Sequence, residues 1–302
     1  MLKKTNFDVI IFGTGPAGLQ AAIHAARKKA AVLVMGKETK SSLFHAHVEN
    51  FCFLFNVTGE DMLNVGRQQA ANFGAELLEE DVLKVLPDGP LFKVLTESGL
   101  ELRSKALIMA TGTARNKLGA RGEKEFLSKG VSYCVECDAN FYRGEEIAVV
   151  GGASAAVSGA LTMLEYAETV HLICKNLEVS AALKAQLQQS SVVIHQGVVV
   201  KEILGRNSVE ALVLDDGTRI PVSGVFIELG AKGVMELVAH LGVRLDDEMK
   251  YIRTNKQMET NVPGVFAAGD ICGPPWQMAK AVGEGCVAGI GAAIYAKKLE
   301  KG

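Results

Sequence analysis

The chain carries almost no net charge: 32 lysines and arginines face 34 aspartates and glutamates, for a formal net charge of −2. That balance argues against nucleic acid or an anionic membrane as the main partner. Long apolar runs are missing too. None approaches the roughly 20 residues of a membrane span, so no transmembrane segment is expected. The opening "MLKKTNFDVIIFG" has two lysines but no apolar stretch ending in a small-residue cleavage site. No signal peptide is expected, and a cytoplasmic location is. Cysteine is sparse: Cys52, Cys134, Cys137, Cys174, Cys272 and Cys286 are too few in 302 residues for a secreted disulfide scaffold. Low-complexity sequence is absent, and the length is generous for one core, which predicts two domains.

The remaining sequence alternates strand and helix. "FDVIIF" (7–12) reads as a buried strand, "LQAAIHAARKK" as a helix and "AAVLVM" (30–35) as the next strand. Together they form a βαβ unit, which implies a parallel sheet. A second unit begins near Glu146, with "IAVV" (147–150), the turn "GGASAA", the helix "VSGALTMLEYA" and the strand "TVHLIC" (169–174). The chain thus contains an internal duplication. Antiparallel hairpins are predicted to turn at Ser98-Gly99 and at Asp216-Gly217, feeding the strands "ALIMAT" and "GVFIEL". "VPGVFAAGD" (262–270) reads as a strand ending in Gly269 and Asp270. A long helix closes the chain, and its Gly283, Gly285, Gly289 and Gly291 cost helix propensity. Close packing against a cofactor or a strand would account for that cost.

"GTGPAG" matches G-x-G-x-x-G through Gly13, Gly15 and Gly18, between a strand and a helix. Gly13 permits the tight turn, Gly15 lets backbone approach a pyrophosphate, and Gly18 lets helix and strand pack closely. Pro16 suits the helix start. The acidic residue expected about 20 residues on is displaced: Met35 and Gly36 stand at the strand end, and Glu38 is the nearest carboxylate. In the second turn Ala153 stands where close backbone approach wants glycine, and Ala156 closes the pattern. The following "CKN" offers only Lys175 to a 2′-phosphate. A repurposed fold and a working nicotinamide site both remain open there.

"YCVECD" places Cys134 and Cys137 three positions apart with Asp138 behind. A zinc site needs about four ligands, and no second close Cys or His pair accompanies this one. Buried inert thiols are the plain alternative. A redox disulfide is the favoured reading: a helix start lowers the pKa of the first thiol, and the neighbouring carboxylate can exchange protons with a departing thiolate.

These pieces resemble the low-molecular-weight thioredoxin reductases, flavoprotein disulfide reductases, over nearly the whole chain. The resemblance rests on "GTGPAGLQAA", "VENF" (48–51), "ATG" (110–112), "GVSYCVECDANFYRGEEIAVVGG" and "VPGVFAAGD". It implies an α/β fold with two Rossmann-like three-layer nucleotide-binding domains, the second inserted in the first, and antiparallel β excursions. The FAD domain would be residues 1–112 and 233–302, and the inserted disulfide domain residues 113–232. FAD phosphates would sit on Gly13, Gly15 and Gly18, with Pro16 and Ala17 in the same turn and Glu38 toward the ribose. Asn50, Thr111 and Gly112 would line the flavin. Gly269 and Asp270 would meet the ribityl chain or phosphate, and Gln277, Met278 and Ala279 would start the last helix under the ring. His45 is a further candidate for flavin contact, a solvated loop histidine being the alternative. Trp276 would either stack on a flavin or pack at the helix start. Cys137 would lie next to the flavin, Cys134 would open the substrate disulfide, and Asp138 would be the acid/base. A hinge near Thr113 and 230–233 would present the dithiol, and the family forms homodimers.

Departures from the family pattern fall at the nicotinamide phosphate site and around the flavin: "GGASAAVSGA", "CKN", "KSSLFHAH" and "GPPWQ". They place the chain nearer the relatives that lost NADPH, among them ferredoxin-linked forms and diflavin-linked disulfide oxidoreductases, the latter the nearer match. The expected function is therefore an FAD enzyme moving two electrons between flavin and the Cys134–Cys137 disulfide and on to a thioredoxin-like or other protein disulfide. Ferredoxin or a second FAD, rather than NADPH, would be the electron-transfer partner. The alternatives are an NAD(P)H-dependent reductase and a non-catalytic flavin-binding sensor.

Overall fold

A computed structural model describes residues 2, 4–44, 46–112, 117–133, 135–229, 241–247 and 250–300, with backbone alone for His47, Glu136 and Cys137. The chain divides into two compact units. One comprises Met1–Thr96, Leu100–Thr113 and His240–Gly302, the other Glu97–Gly99 and Ala114–Ala239. Among the described residues no helix is long and apolar enough to cross a membrane.

The first unit begins with β1 (Asn6–Phe12), α1 (Pro16–Arg27) and β2 (Val32–Met35). A short antiparallel pair, β3 (His47–Val48) and β4 (Val57–Thr58), precedes α2 (Gly59–Asn72) and β5 (Glu76–Leu78). Then come β6 (Val82–Asp88), β7 (Leu91–Thr96) and β8 (Glu101–Met109). The sheet order is β5-β2-β1-β8-β7-β6. β1 pairs in parallel with both β2 and β8, and Phe12 stands opposite Met35 and Met109. The three strands therefore end level, and the turns that follow them meet at one edge. Val9 to Phe12 and all of β2 are buried, as expected for parallel strands covered on both faces.

The β6–β7 hairpin, turning at Gly89 (φ 61°), has no counterpart in the sequence reading. Pro87 interrupts that run and argues against a strand, yet β6 is the sheet's edge, where proline is tolerated. The strand read over residues 262–270 is shorter in the fold. β17 spans only Val265–Ala267 and pairs in parallel with β8 beyond the point where β7 leaves it.

The second unit holds β9 (Val131–Ser132), the single turn α3 (Val135–Asp138), β10 (Glu146–Val150), α4 (Ser154–Met163) and β11 (Thr169–Cys174). These are followed by α5 (Ala181–Gln188), β12 (Val193–Gln196), β13 (Val200–Gly205), β14 (Val209–Leu214), β15 (Arg219–Pro221) and β16 (Gly224–Ile227). Its parallel sheet runs β12-β11-β10-β16-β9, and β13-β14-β15 form an antiparallel excursion. Val150 pairs with Ile173 and Ile227, the same register as Phe12 in the first unit.

The closing helix α6 (Met278–Leu299) lies on α1, and this corrects the expectation for its glycines. A Cβ on Gly285 would stand 2.2 Å from the Ala17 carbonyl oxygen, and one on Gly289 would stand 2.2 Å from that of Ala21. These two glycines serve helix-on-helix contact. Gly291 does face a strand, where a Cβ would meet the Phe266 ring at 2.8 Å. Each glycine costs the helix about 1 kcal/mol relative to alanine; at Gly285 and Gly289 the backbone approach they permit offsets it, while a Cβ on Gly283 would meet nothing within 4 Å among the described residues. Ala17, Ala21, Ala25, Ala288 and Ala292 line the resulting seam, all buried.

Candidate active site

In the first unit the glycine turn leaves β1 at the level strand ends. Gly13 N–H donates to the Met35 carbonyl at 2.8 Å, and Ala110 N–H donates to the Phe12 carbonyl at 2.8 Å. Gly13 has φ 118°, and a Cβ there would stand 2.2 Å from the Ala110 oxygen and 3.1 Å from Thr111 N. The turn after β8, carrying Thr111 and Gly112, is thereby brought against Gly13. A Cβ on Gly18 would stand 1.9 Å from the Gly13 oxygen. Gly15 differs: only Ser41 Oγ, at 3.3 Å, would approach its Cβ, so its surface is open.

Two more segments reach this edge. Gly269 packs against the Ala17 methyl, which a Cβ on Gly269 would approach to 2.9 Å. Its N–H donates to Glu284 Oε2 at 2.8 Å, and its carbonyl accepts from Lys280 Nζ at 3.0 Å. Burial pushes the Asp270 carboxyl above its ordinary range, with Glu284 adding to the shift and Lys280 opposing it. Asn50 Nδ2 donates to Gln277 Oε1 at 3.0 Å, joining two candidates 227 residues apart. Met278 packs with Leu19, Leu43, Val48 and Leu63, while Ala279 is exposed. Trp276 is 59% exposed, so it is not a buried packing residue. His45 lies outside the described residues.

Helix starts separate into two kinds. α2 is capped by Thr58, whose Oγ1 accepts from Asp61 N–H, and α5 by Ser180, whose Oγ accepts from Leu183 N–H. Among the described residues α1, α4 and α6 have no side-chain cap and no acid in the first turn. An uncapped helix start presents free N–H groups and the positive end of the dipole, as an anion site requires.

In the second unit Gly151 repeats the Gly13 geometry: φ is 147°, and a Cβ would stand 2.1 Å from the Glu228 carbonyl oxygen. The third position is Ala153, which adds a buried methyl where the first turn has Gly15. The chain after β11 folds back onto the turn. The Asn176 carbonyl oxygen lies 1.8 Å from where a Gly152 Cβ would be, and Glu178 N–H donates to the Gly152 carbonyl at 2.7 Å.

The cysteine segment lies between β9 and the 3-10 turn Ala139–Tyr142. Cys134 and the Cys137 side chain lie outside the described residues, as do the expected hinge positions Thr113 and 230–233. Their neighbours are well defined. Ser132 Oγ donates to Asp138 Oδ2 at 2.6 Å. Tyr133 OH donates to Glu123 Oε1 at 2.5 Å, and Glu123 also accepts from Leu118 N–H at 3.0 Å and Gly119 N–H at 2.7 Å. Burial works to raise the Glu123 carboxyl, but these three hydrogen bonds outweigh it and hold the group below its ordinary range. Burial and the nearby Asp138 charge push the Tyr142 hydroxyl up. Val135 N–H donates to Glu228 Oε1 at 3.4 Å. Glu123 and Glu228 are absent from the sequence-derived candidates. Glu123 sits ten residues from Tyr133 and Glu228 93 residues from Val135, with no motif linking either pair. The other cysteines, Cys52, Cys174, Cys272 and Cys286, are free thiols. Burial pushes Cys174 up and Cys272 up to about 12, so neither is a ready nucleophile at neutral pH.

Comparison with known proteins accounts for this arrangement. The family described as pyridine nucleotide-disulphide oxidoreductase matches residues 7–285. The chain belongs to the pyridine nucleotide-disulphide oxidoreductase family. It is 34% identical over 311 residues to a thioredoxin reductase of Listeria innocua, covering 99% of this chain and 97% of the relative. Among solved structures, the atypical thioredoxin reductase of Desulfovibrio vulgaris Hildenborough superposes with a TM-score of 0.85 at 33% identity, covering 96% of this chain and 98% of that one. A ferredoxin-flavin thioredoxin reductase of Clostridium acetobutylicum gives 0.70 at 30% identity, covering 98% and 99%. The protein is a thioredoxin reductase-like flavin disulfide oxidoreductase.

The family implies FAD, and the residues of the first turn fit it. Gly15 is open, α1 starts uncapped, and a buried acceptor awaits a donor. Glu38 Oε1 is buried without a hydrogen-bond partner among the described residues, while Oε2 lies 3.3 Å from Arg67 Nη1. An acidic oxygen near the end of β2 is placed to accept from a ribose hydroxyl. Glu38 reaches this place three residues later than the motif expects, after the extra turn at Gly36 (φ 134°).

Proposed function

We propose that this oxidoreductase moves two electrons between FAD and the Cys134–Cys137 pair and on to a thioredoxin-like protein disulfide, with a donor other than NADPH. In this reading the first unit is the FAD domain and the second carries the dithiol. Gly13, Gly15, Pro16, Ala17 and Gly18 hold the pyrophosphate and Glu38 the adenosine ribose. Gly269 and Asp270 take the ribityl side, and Asn50, Thr111, Gly112 and the Gln277–Ala279 segment take the ring. FAD held there supplies a carrier that accepts and releases two electrons.

The chain's own residues perform the sulfur chemistry. Asp138, its Oδ2 fixed by the Ser132 hydroxyl, holds the proton exchanged with the Cys137 sulfur. The Cys134 thiolate attacks one sulfur of the partner disulfide. A mixed disulfide forms, and the partner's other sulfur leaves and is protonated. Cys137 then displaces the second partner sulfur. The Cys134–Cys137 bond closes as two electrons and two protons pass to the partner.

The observation that carries the choice of donor is the contrast at the third position of the two turns: an open glycine at Gly15, an alanine with a buried methyl at Ala153. The returning chain at Gly152 and the lone Lys175 support it. Both are a poor seat for a pyrophosphate and a 2′-phosphate. One similar structure is named for ferredoxin, and a ferredoxin or a second flavin is the donor class favoured here. Anaerobic mixing of the holoenzyme tests this. NADPH and NADH are expected to leave the flavin oxidised, while a reduced ferredoxin bleaches it. Rapid bleaching by NADPH overturns the donor assignment. Reduction should also expose two additional alkylatable thiols, absent in Cys137→Ser. If no such couple titrates, the disulfide assignment is lost.

A further inference from the structure

We propose that Arg67 is a specificity-determining residue of the dinucleotide site: with Glu38 it forms a donor–acceptor pair that reads the unesterified vicinal diol of the adenosine ribose. This rests on the reading of the first unit as the FAD domain and extends it to a residue that no motif marks. Two buried polar atoms carry the inference. Glu38 Oε1 and Arg67 Nη1 are each without a hydrogen-bond partner among the described residues. They belong to one ion pair, since Arg67 Nη1 lies 3.3 Å from Glu38 Oε2. An orphan acceptor and an orphan donor thus sit on the two partners of a single contact. Buried polar atoms in native folds are satisfied, so this pair calls for a group that the chain does not supply.

The fold puts both atoms beside the turn that holds the pyrophosphate. Residues 36–41 run along it: a Cβ on Gly36 would stand 3.7 Å from Thr14 N, and one on Gly15 would stand 3.3 Å from Ser41 Oγ. Glu38 opens the 3-10 turn between these two contacts, and Ser41 N–H donates to its carbonyl at 3.0 Å. Arg67 comes from α2. Leu63, four residues before it, and Ala70, three after, are buried, so Arg67 borders the packing stripe of the helix. Gly66 beside it brings α2 against α1, where a Cβ would stand 3.1 Å from Leu19 Cδ1. Arg67 Nη2 donates to Glu79 Oε1 at 2.5 Å, just past β5. The guanidinium is held from two sides, with Nη1 left to donate.

Chemistry selects the ligand group. A hydroxyl both donates and accepts, so two adjacent ribose hydroxyls satisfy an acceptor and a donor together. A phosphate would serve the donor alone. A 2′-phosphate would also bring further negative charge to a guanidinium already paired with Glu38 and Glu79. An apolar group would leave both atoms unpaired, at the full cost of their desolvation.

The test displaces flavin from the purified holoenzyme with ADP, 2′-deoxy-ADP or 3′-deoxy-ADP, and flavin passing an ultrafilter is read by absorbance. In the wild type each deoxy analogue should compete at least about fivefold worse than ADP, a hydrogen bond being lost in each case. In Arg67→Met one of those penalties should shrink to within about twofold while the other is kept. Equal weakening of all three competitors makes Arg67 a packing residue and overturns the proposal. Loss of both penalties, as displacement of Glu38 would give, overturns it too. If Arg67→Met is not recovered folded, the wild type decides: two penalties of at least about fivefold sustain the proposal, and either analogue within about twofold of ADP overturns it. A wild type that carries no flavin removes the FAD reading itself. A flavin-bearing wild type whose penalties ignore the Arg67 substitution removes only the role of Arg67.

Discussion

The turns at Gly13–Gly18 and Gly151–Ala156 occupy the same place in two parallel sheets, after strands whose last residues pair in the same register. Their first positions are alike: both have positive φ, and both press on a carbonyl oxygen that a Cβ would strike near 2 Å. Their third positions are not. Gly15 leaves the helix start open, and Ala153 adds a methyl at the same place. The first position answers to packing within the protein, and the third to whatever approaches from outside. The two halves therefore share a scaffold, and under the function proposed above they do not share a ligand chemistry.

The comparison is broken most forcefully at the shared position. Gly13→Ala and Gly151→Ala should each destabilise their unit by more than about 3 kcal/mol, from a forced φ and a clash with backbone. Urea denaturation measures this, and a loss below about 1 kcal/mol at either would show that the two turns are not held alike. Next in size is Gly15→Ala, which writes the second turn into the first. The clash is only with Ser41 Oγ at 3.3 Å. Stability should change by less than about 1 kcal/mol while FAD retention falls at least about tenfold, or about 1.4 kcal/mol. The flavin-to-protein ratio after dilution, beside a melting curve, reads both. The reverse exchange, Ala153→Gly with Asn176→Arg, should raise the rate of flavin bleaching by NADPH above the wild type in a stopped-flow assay. Ala153→Gly alone should not.

The smallest expected effects separate the units by pH. Glu123 is held below its ordinary 4.5, with burial outweighed by three hydrogen bonds. Its contribution is therefore present above that value and lost as pH falls through the depressed folded pKa. Acidification should loosen the Tyr133 tether. Asp270 has the opposite sign. Burial raises it above 3.8, so its contribution is present below that value and lost as pH rises through the raised pKa. Asp270→Asn should accordingly raise the melting temperature of the FAD-free protein slightly at neutral pH. Thermal scans across pH on the wild type and both single variants (Glu123→Gln, Asp270→Asn) check the two signs together.

Much of the fold was readable because its signals are local. The βαβ pattern, both glycine turns and the Asp216-Gly217 hairpin sit within short windows of sequence. The β6–β7 hairpin was hidden by Pro87, whose acceptability depends on β6 being an edge strand, a fact about neighbours rather than about the run itself. Of the candidate residues, those in the first turn stand together because they are consecutive. Asn50 and Gln277 were named separately, and only the folded chain joins them. Glu228 gave no signal, since a glutamate after a strand reads as a solvated end until α3 is laid over it.

The sequence by itself determined that there would be two nucleotide-type turns, that only the first keeps all three glycines, and that an acid follows a C-x-x-C. These are matters of backbone freedom and periodicity, which act between near neighbours. Only the tertiary structure decided that Gly285 and Gly289 admit α1, that the Oε1 of half-buried Glu38 is buried with no partner among the described residues, and that Glu228 meets the N–H of Val135 at the start of α3. Each of those depends on which distant segments exclude water together, and burial is what turns an ordinary carboxylate into one whose charge is felt.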